Sequence, residues 1–133
     1  FNQNTYNALM GYFNEVANKN VQWHNQDFRK FFKGLKLSAN DFVYLDPPYL
    51  ITFSEYNKHW NEQAEKDLLK ILDWFSEKNI KFAISNVTYY KGKENSIFLN
   101  WSDKYQVHSI KSNYISYHDN TNKTLNEVLV TNY

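Results

Sequence analysis

Four consecutive residues, Asp46-Pro47-Pro48-Tyr49, are suited to hold an amine beside a flat aromatic surface. Each proline fixes φ at about −65° and lacks an N–H donor, and each favours an extended conformation in the residue before it. The segment therefore presents carbonyl oxygens and one carboxylate with few competing donors. An exocyclic amine can donate one hydrogen to Asp46 and the other to the Pro47 carbonyl. Tyr49 can stack on the attached ring, a contact of about 1–3 kcal/mol.

This arrangement would activate an aromatic amine, whose lone pair is normally delocalised into its ring. Two acceptors fixed around the nitrogen draw it toward tetrahedral geometry and localise the lone pair, which preorganises an attacking atom. A base inside a duplex cannot reach such a segment and has to be flipped out first. The alternative is a turn that merely ends a strand, as prolines often do. The apolar run 42–45 directly before Asp46 favours the catalytic interpretation.

The surrounding pattern predicts an α/β fold that places Asp46 at the end of a strand. Apolar residues at helical spacing predict helices at about 3–18 and 62–78, the second capped by Asn61. Apolar runs predict strands at 21–24, 42–45, 80–84, 105–110 and 127–131, and shorter helices are expected at 26–32 and 94–101. The continuous run at 42–45 is typical of a strand buried on both faces. Such alternation indicates a mainly parallel sheet with an antiparallel hairpin at one edge. Ligands of such sheets bind beyond the carboxyl ends of strands.

The composition excludes several classes of protein. The 133 residues contain no cysteine, which excludes disulfides and thiolate metal sites. The histidines lack metal-binding spacing, so no metal is predicted. No run approaches the roughly 20 apolar residues of a membrane span, and a cytoplasmic location is expected. The net charge of +1 argues weakly against nucleic-acid binding by this segment alone. The start at Phe1 predicts that the chain is a piece of a longer protein.

Several motifs in order resemble one family, the Dam-type (D12 class) DNA adenine-N6 methyltransferases, from about Val21 onward. The segment 46–49, called the DPPY segment below, matches the catalytic motif of that family. Phe53-Ser54-Glu55-Tyr56 resembles an F-x-x-Y element on the loop that closes over the target base. Phe82-Ala83-Ile84-Ser85-Asn86 resembles the next strand with its Ser-Asn ending, and residues 114–116 and 127–133 resemble a closing hairpin.

The resemblance implies a partial Rossmann-like fold that depends on S-adenosylmethionine. The implied reaction moves a methyl group from this cofactor to the N6 amine of an adenine flipped out of double-stranded DNA, as in restriction–modification systems. Asp46 and Pro47 would orient the amine, and Tyr49 would stack on the adenine. Phe53 and Tyr56 would support the base from the mobile loop.

Two further segments are candidates for ligand contacts, and each also has a simpler role. Asn25-Gln26-Asp27-Phe28 resembles the family segment whose acidic residue contacts the adenine ring of S-adenosylmethionine, so Asp27 is the candidate cofactor-binding residue. The alternative role of Asp27 is an N-cap, since Asp often begins a helix. Lys91 and Lys93 lie in an expected loop, where they would contact DNA phosphate or simply be solvated.

Two parts of the family pattern are missing from residues 1–133. The family implies a glycine-rich segment for the cofactor and a separate DNA-recognition domain, whereas this sequence has three scattered glycines. The chain is therefore predicted to be a single catalytic fragment, inactive without its N-terminal half, which a second chain or a longer gene product would supply. The alternatives are a non-catalytic remnant that binds nucleic acid or another protein, and an enzyme for cytosine N4 or RNA adenine. Asp46, where related cytosine enzymes usually carry Ser, favours adenine.

Overall fold

The computed structural model describes residues 2–53, 55–110 and 125–133, and for Tyr56 the backbone alone. The chain divides into two compact units, 1–33 and 34–133. The predicted hairpin residues Tyr114-Ile115-Ser116 and the loop residue Ser54 lie outside the described residues. That residues 1–133 form one catalytic fragment stays a prediction.

The first unit is built around a helix, α1 (Gln3–Asn18), whose predicted bounds are confirmed. The Asn2 side chain accepts a hydrogen bond from the Thr5 amide and caps it. None of its residues is buried. The predicted strand at 21–24 is wrong, because these residues pair with no strand among the described residues, and Trp23 is exposed. A second helix, α2 (Phe28–Gly34), begins after Asp27 and runs into the second unit.

The second unit contains a mixed sheet with two helices. Its strands are β1 (Phe42–Leu45), β2 (Lys81–Tyr90), β3 (Lys93–Glu94), β4 (Gln106–Ile110) and β5 (Leu125–Thr131), and its helices are α3 (Glu62–Glu77) and α4 (Ser96–Ser102). A 3₁₀ turn lies at Glu55–Asn57. The sheet order is β1-β2-β5-β4, and β3 pairs with the end of β2. No helix among these described elements is long and apolar enough to cross a bilayer.

The pairing confirms the mixed α/β fold and the antiparallel hairpin of β4 and β5 at one edge. The sheet was predicted to be mainly parallel. Among the described strands, only β1 and β2 pair in parallel, because β5 pairs antiparallel with the other side of β2. The prediction that β1 is buried on both faces is wrong. β1 is an edge strand of the described sheet, and Phe42 and Tyr44 are 55% and 60% exposed.

The core lies where α3 and α4 pack on β2. Its fully buried side chains are Leu72, Phe75, Ile80, Phe82, Ile84, Phe98 and Val130. Full burial of one such side chain contributes about 1.5–3 kcal/mol. The prediction of α3 with Asn61 as its cap is confirmed, since the Asn61 side chain accepts from the Ala64 amide. This core fixes β2, and the parallel register then sets Leu45 opposite Ile84.

Candidate active site

Asp46 leaves the carboxyl end of β1 and lies beside Ser85 of β2. The register that pairs Leu45 with Ile84 brings the next residue of each strand together. The Ser85 hydroxyl donates to Asp46 Oδ1 at 2.8 Å and also lies 3.4 Å from the Leu45 carbonyl oxygen. Ser85 is 4% exposed, whereas Asp46 is exposed. A buried hydroxyl therefore orients an accessible carboxylate.

Tyr49 closes the DPPY segment back onto Asp46. Its hydroxyl lies 3.1 Å from Asp46 Oδ1 and 2.9 Å from Glu127 Oε1 on β5. Burial is the main cause that raises the pKa of Tyr49 above its usual range. The hydrogen bond from Ser85 lowers this pKa, while Glu127 and the charge of Asp46 raise it further. The hydroxyl therefore stays protonated at neutral pH and acts as a donor.

The cluster has more acceptors than donors. Ser85 and Tyr49 both reach the same carboxylate oxygen, Asp46 Oδ1. Within the described part of the chain, Asp46 Oδ2 accepts no hydrogen bond, and neither Asp46 nor Glu127 forms an ion pair. An ionised carboxylate can accept at both oxygens. The site is thus prepared for a ligand that donates hydrogens, such as an amine.

The loop after Tyr49 is folded by Asn57, a residue that sequence reasoning missed. The Asn57 side-chain amide donates to the carbonyl oxygens of Tyr49 and Thr52, both at 2.8 Å. Asparagine commonly satisfies loop carbonyls in this way, which was the available signal. Phe53 is 93% exposed, so the structure gives it no partner that defines a role. The support of the base by Phe53 and Tyr56 stays a prediction.

The far end of this loop is fixed by a buried glutamate, Glu65, on α3. Its carboxylate accepts from Trp60 Nε1 at 3.0 Å, from Asn86 Nδ2 at 3.2 Å and from Asn95 Nδ2 at 2.7 Å. At 1% exposure, Glu65 is a buried acceptor, although its place in the first turn of α3 would also suit an exposed acidic residue. A buried carboxylate needs such donors. The contacts join the loop to β2 and α4.

Asp27 caps α2 in the first unit. Its Oδ1 accepts from the Arg29 amide, and its Oδ2 pairs with Arg29 Nη1, both at 3.0 Å. The structure therefore shows the N-cap role that was weighed as the alternative. Contact with the cofactor stays a prediction.

The two candidate phosphate-binding lysines flank the tip of the β2–β3 hairpin. Lys91 (φ 46°) and Gly92 (φ 82°) take the left-handed conformation that the tight turn requires. Phosphate contact by Lys91 and Lys93 stays a prediction. Among the described residues, no group of three His, Asp or Glu side chains is arranged to hold a metal ion.

In the described structure, an Asp-Pro-Pro-Tyr segment follows a parallel strand of a mixed α/β sheet. Residues 2–115 match the D12 class N6 adenine-specific DNA methyltransferases. The match covers most of the chain, and the chain belongs to this family of enzymes, as its motifs predicted.

The relatives are modification enzymes. The chain is 42% identical over 132 residues to the type II methyltransferase M.FokI of Planomicrobium okeanokoites, an alignment that covers 94% of this chain and 20% of that protein. It is 37% identical over 142 residues to the modification methylase StsI of Streptococcus sanguinis, which covers 100% of this chain and 22% of that protein. The chain thus spans about a fifth of the length of the curated relatives it matches.

Proposed function

We propose that this chain is the catalytic part of a site-specific DNA methyltransferase that transfers a methyl group from S-adenosylmethionine to the N6 amine of adenine. The observation that carries the proposal is the orientation of Asp46, whose Oδ1 accepts a hydrogen bond from Ser85 while Oδ2 is available to an amine. Membership of the D12 class supports adenine as the target. Double-stranded DNA is the proposed substrate, in keeping with the expected cytoplasmic location.

The residues of the chain prepare the amine for attack. One N6 hydrogen is donated to Asp46 Oδ2 and the other to the Pro47 carbonyl, so the nitrogen lone pair is localised and directed away from both acceptors. When bound, S-adenosylmethionine supplies the methyl group as a sulfonium. Tyr49 holds the flipped adenine by stacking, which offsets part of the cost of leaving the duplex. Phe53 and Tyr56 are proposed to close over the base.

The chain provides one proposed contact to the cofactor. Asp27 Oδ2, which also pairs with Arg29, retains a lone pair that can accept from the amino group of the adenine ring. The remaining contacts are proposed to come from a preceding part of the polypeptide or from a second chain. The isolated 133-residue chain should therefore bind S-adenosylmethionine more weakly than micromolar. Isothermal titration measures this, and a dissociation constant of about 1 μM or below would contradict it.

A second candidate function, a folded interaction module without activity, is favoured by the exposed edge of β1. Phe42 and Tyr44 project from an edge strand whose described sheet partner is β2 alone. An exposed, aromatic strand edge is an associating surface.

Product analysis separates the two candidates. The longest polypeptide encoded in frame with this chain is incubated with methyl-labelled S-adenosylmethionine and unmethylated double-stranded DNA, and the digested DNA is examined for N6-methyladenine. The expected result is N6-methyladenine from the wild type and its loss in Asp46→Ala. Asp103→Ala, which removes an exposed carboxylate beyond α4, is the matched control. Label on cytosine in the DNA would reject adenine as the target, and no transfer by the wild type would favour the interaction module.

A further inference from the structure

Glu127 contacts the active-site cluster but has no part in the chemistry proposed above. It lies on β5, opposite Val87 of β2, and Ser85 pairs with Leu129 two residues further along. Because side chains alternate along a strand and directly paired residues share a face, Glu127 and Ser85 lie on the same face of the sheet. Glu127 thus reaches Tyr49 from a strand that is not adjacent to β1.

The Tyr49 hydroxyl has one proton and two carboxylate acceptors. It lies 3.1 Å from Asp46 Oδ1 and 2.9 Å from Glu127 Oε1, and it can donate to one of them at a time. When the proton points to Asp46, it withdraws part of the acceptor strength that the substrate amine needs. When it points to Glu127, Asp46 keeps Ser85 as its protein donor and remains a strong acceptor.

We propose that Glu127 is a positioning residue that draws the Tyr49 hydroxyl away from Asp46 and fixes the Tyr49 ring for stacking. The inference rests on the proposed function of Asp46 and Tyr49. Glu127 itself touches neither the base nor the reacting atoms. The shorter of the two hydroxyl distances is the one to Glu127, which is the direction the proposal requires.

Removal of Glu127 has a specific consequence in this scheme. In Glu127→Ala the Tyr49 hydroxyl has Asp46 as its remaining carboxylate partner. The hydroxyl then donates to Asp46 and weakens it as an acceptor for the substrate amine. We expect kcat for DNA methylation to fall about tenfold, the effect of one lost hydrogen bond to a charged group. The dissociation constant for DNA should change by less than about twofold, because phosphate contacts dominate affinity.

Two companion variants give a result that a purely structural role cannot. Glu127→Gln keeps a neutral oxygen acceptor and should restore kcat to within about threefold of the wild type. The double variant Tyr49→Phe/Glu127→Ala removes the hydroxyl that interferes with Asp46, and it should turn over as fast as Tyr49→Phe alone. Removal of a second group then raises kcat relative to Glu127→Ala, the reverse of additive damage.

The experiment measures kcat, the dissociation constant for DNA and the melting temperature of these variants in the active polypeptide. Tyr105→Phe is the matched control, because the Tyr105 hydroxyl donates to Asp73 at 2.8 Å away from the DPPY segment. Wild-type kcat in Glu127→Ala, equal impairment in Glu127→Gln, or additive losses in the double variant would each overturn the inference. If the inference about Glu127 fails but Asp46→Ala is inactive in the same assays, the proposed function still stands. If the wild type transfers no methyl group to adenine, both are overturned.

Discussion

Two tyrosine–carboxylate clusters in the second unit have opposite hydrogen-bond balances. In the DPPY cluster, the Tyr49 hydroxyl lies between the carboxylates of Asp46 and Glu127. In the other cluster, Asp73 Oδ1 alone accepts from Trp101 Nε1 at 2.7 Å, from the Tyr105 hydroxyl at 2.8 Å and from Lys104 Nζ at 2.8 Å. The first cluster has two carboxylates for two hydroxyl donors, whereas the second has three donors for one carboxylate.

This difference separates a candidate ligand-binding site from a cluster that only connects elements of the fold. In the Asp73 cluster, three donors, one of them charged, reach a single carboxylate and join α3 to α4 and to the residues just before β4. A cluster with surplus acceptors is incompletely satisfied until a donor arrives, and such incompleteness is costly unless it serves binding. Composition alone does not separate them, because both contain tyrosine beside aspartate.

The comparison predicts its largest effect for a crossed pair of aspartate variants. Asp46→Ala should reduce kcat on the order of 100-fold or more, since it removes an acceptor aimed at the reacting amine, and should leave the melting temperature nearly unchanged. Asp73→Ala should do the reverse. It should lower stability by about 1–2 kcal/mol, a moderate loss because its side chain is 34% exposed.

Turnover and thermal melting of both variants in the active polypeptide check this crossed pattern. Asp103→Ala serves as the neutral control for both measurements. The distinction between the clusters is lost if Asp46→Ala keeps more than about half of wild-type turnover, or if Asp73→Ala impairs turnover at temperatures where it is fully folded.

Substitutions of Tyr49 should give the next largest effect. Tyr49→Ala removes the stacking surface and should cost up to about 100-fold in kcat. From the sequence, Tyr49→Phe is expected to be mild because the ring survives. The contact of the hydroxyl with Glu127, which is proposed to fix the ring, sharpens that expectation to a loss of about fivefold.

Turnover and melting are measured on the same preparations of the Tyr49 variants. Tyr105→Phe, which loses an equivalent hydroxyl–carboxylate bond, should keep wild-type turnover. An Ala variant whose lost activity merely follows its unfolded fraction would make Tyr49 a structural residue like Tyr105.

The smallest effect concerns alkaline pH. Burial, and then the hydrogen bond to Asp73, raise the pKa of Tyr105 from 10.0 to about 12. Because the folded pKa is raised, the protonated hydroxyl stabilises the fold fully below about pH 10, and this contribution is lost as the pH rises toward about 12. Tyr105→Phe should therefore weaken the fall in melting temperature between these pH values. An unchanged slope, with tyrosinate absorbance as the titration readout, would contradict the contribution of Tyr105.

The elements themselves were largely predictable, because their signals are local. Helical spacing of apolar residues gives the bounds of α1, and an apolar run gives those of β1. Asn61 marks the start of α3, which it caps. The exposed face of β1, which carries Phe42 and Tyr44, was not predictable, because burial of a strand depends on which elements become its neighbours. The segment 21–24 has strand-like residues but lacks a partner among the described strands.

The sequence nominates the residues at the centre of the candidate site but not the residues that contact them. Asp46 and Tyr49 lie three residues apart in one short motif, and the motif makes them candidates. Glu127 is 78 residues from Tyr49, and a glutamate in a terminal strand carries no signal of its own until the pairing of β2 with β5 is known. Glu65 similarly reads as an ordinary first-turn acid until its burial against Asn86 and Asn95 is seen.

The parallel register of β1 and β2 also limits how such a chain can vary in length. Sliding β1 by one residue would turn its side chains to the opposite face and set Asp46 beside Ile84 or Asn86 instead of Ser85. Insertions between the two strands are tolerable where the loop leaves the DPPY segment, because the register is set by the ladder and not by the length of the connection. A single residue added or deleted within β1 would leave the fold recognisable and move the Asp46 carboxylate away from Ser85.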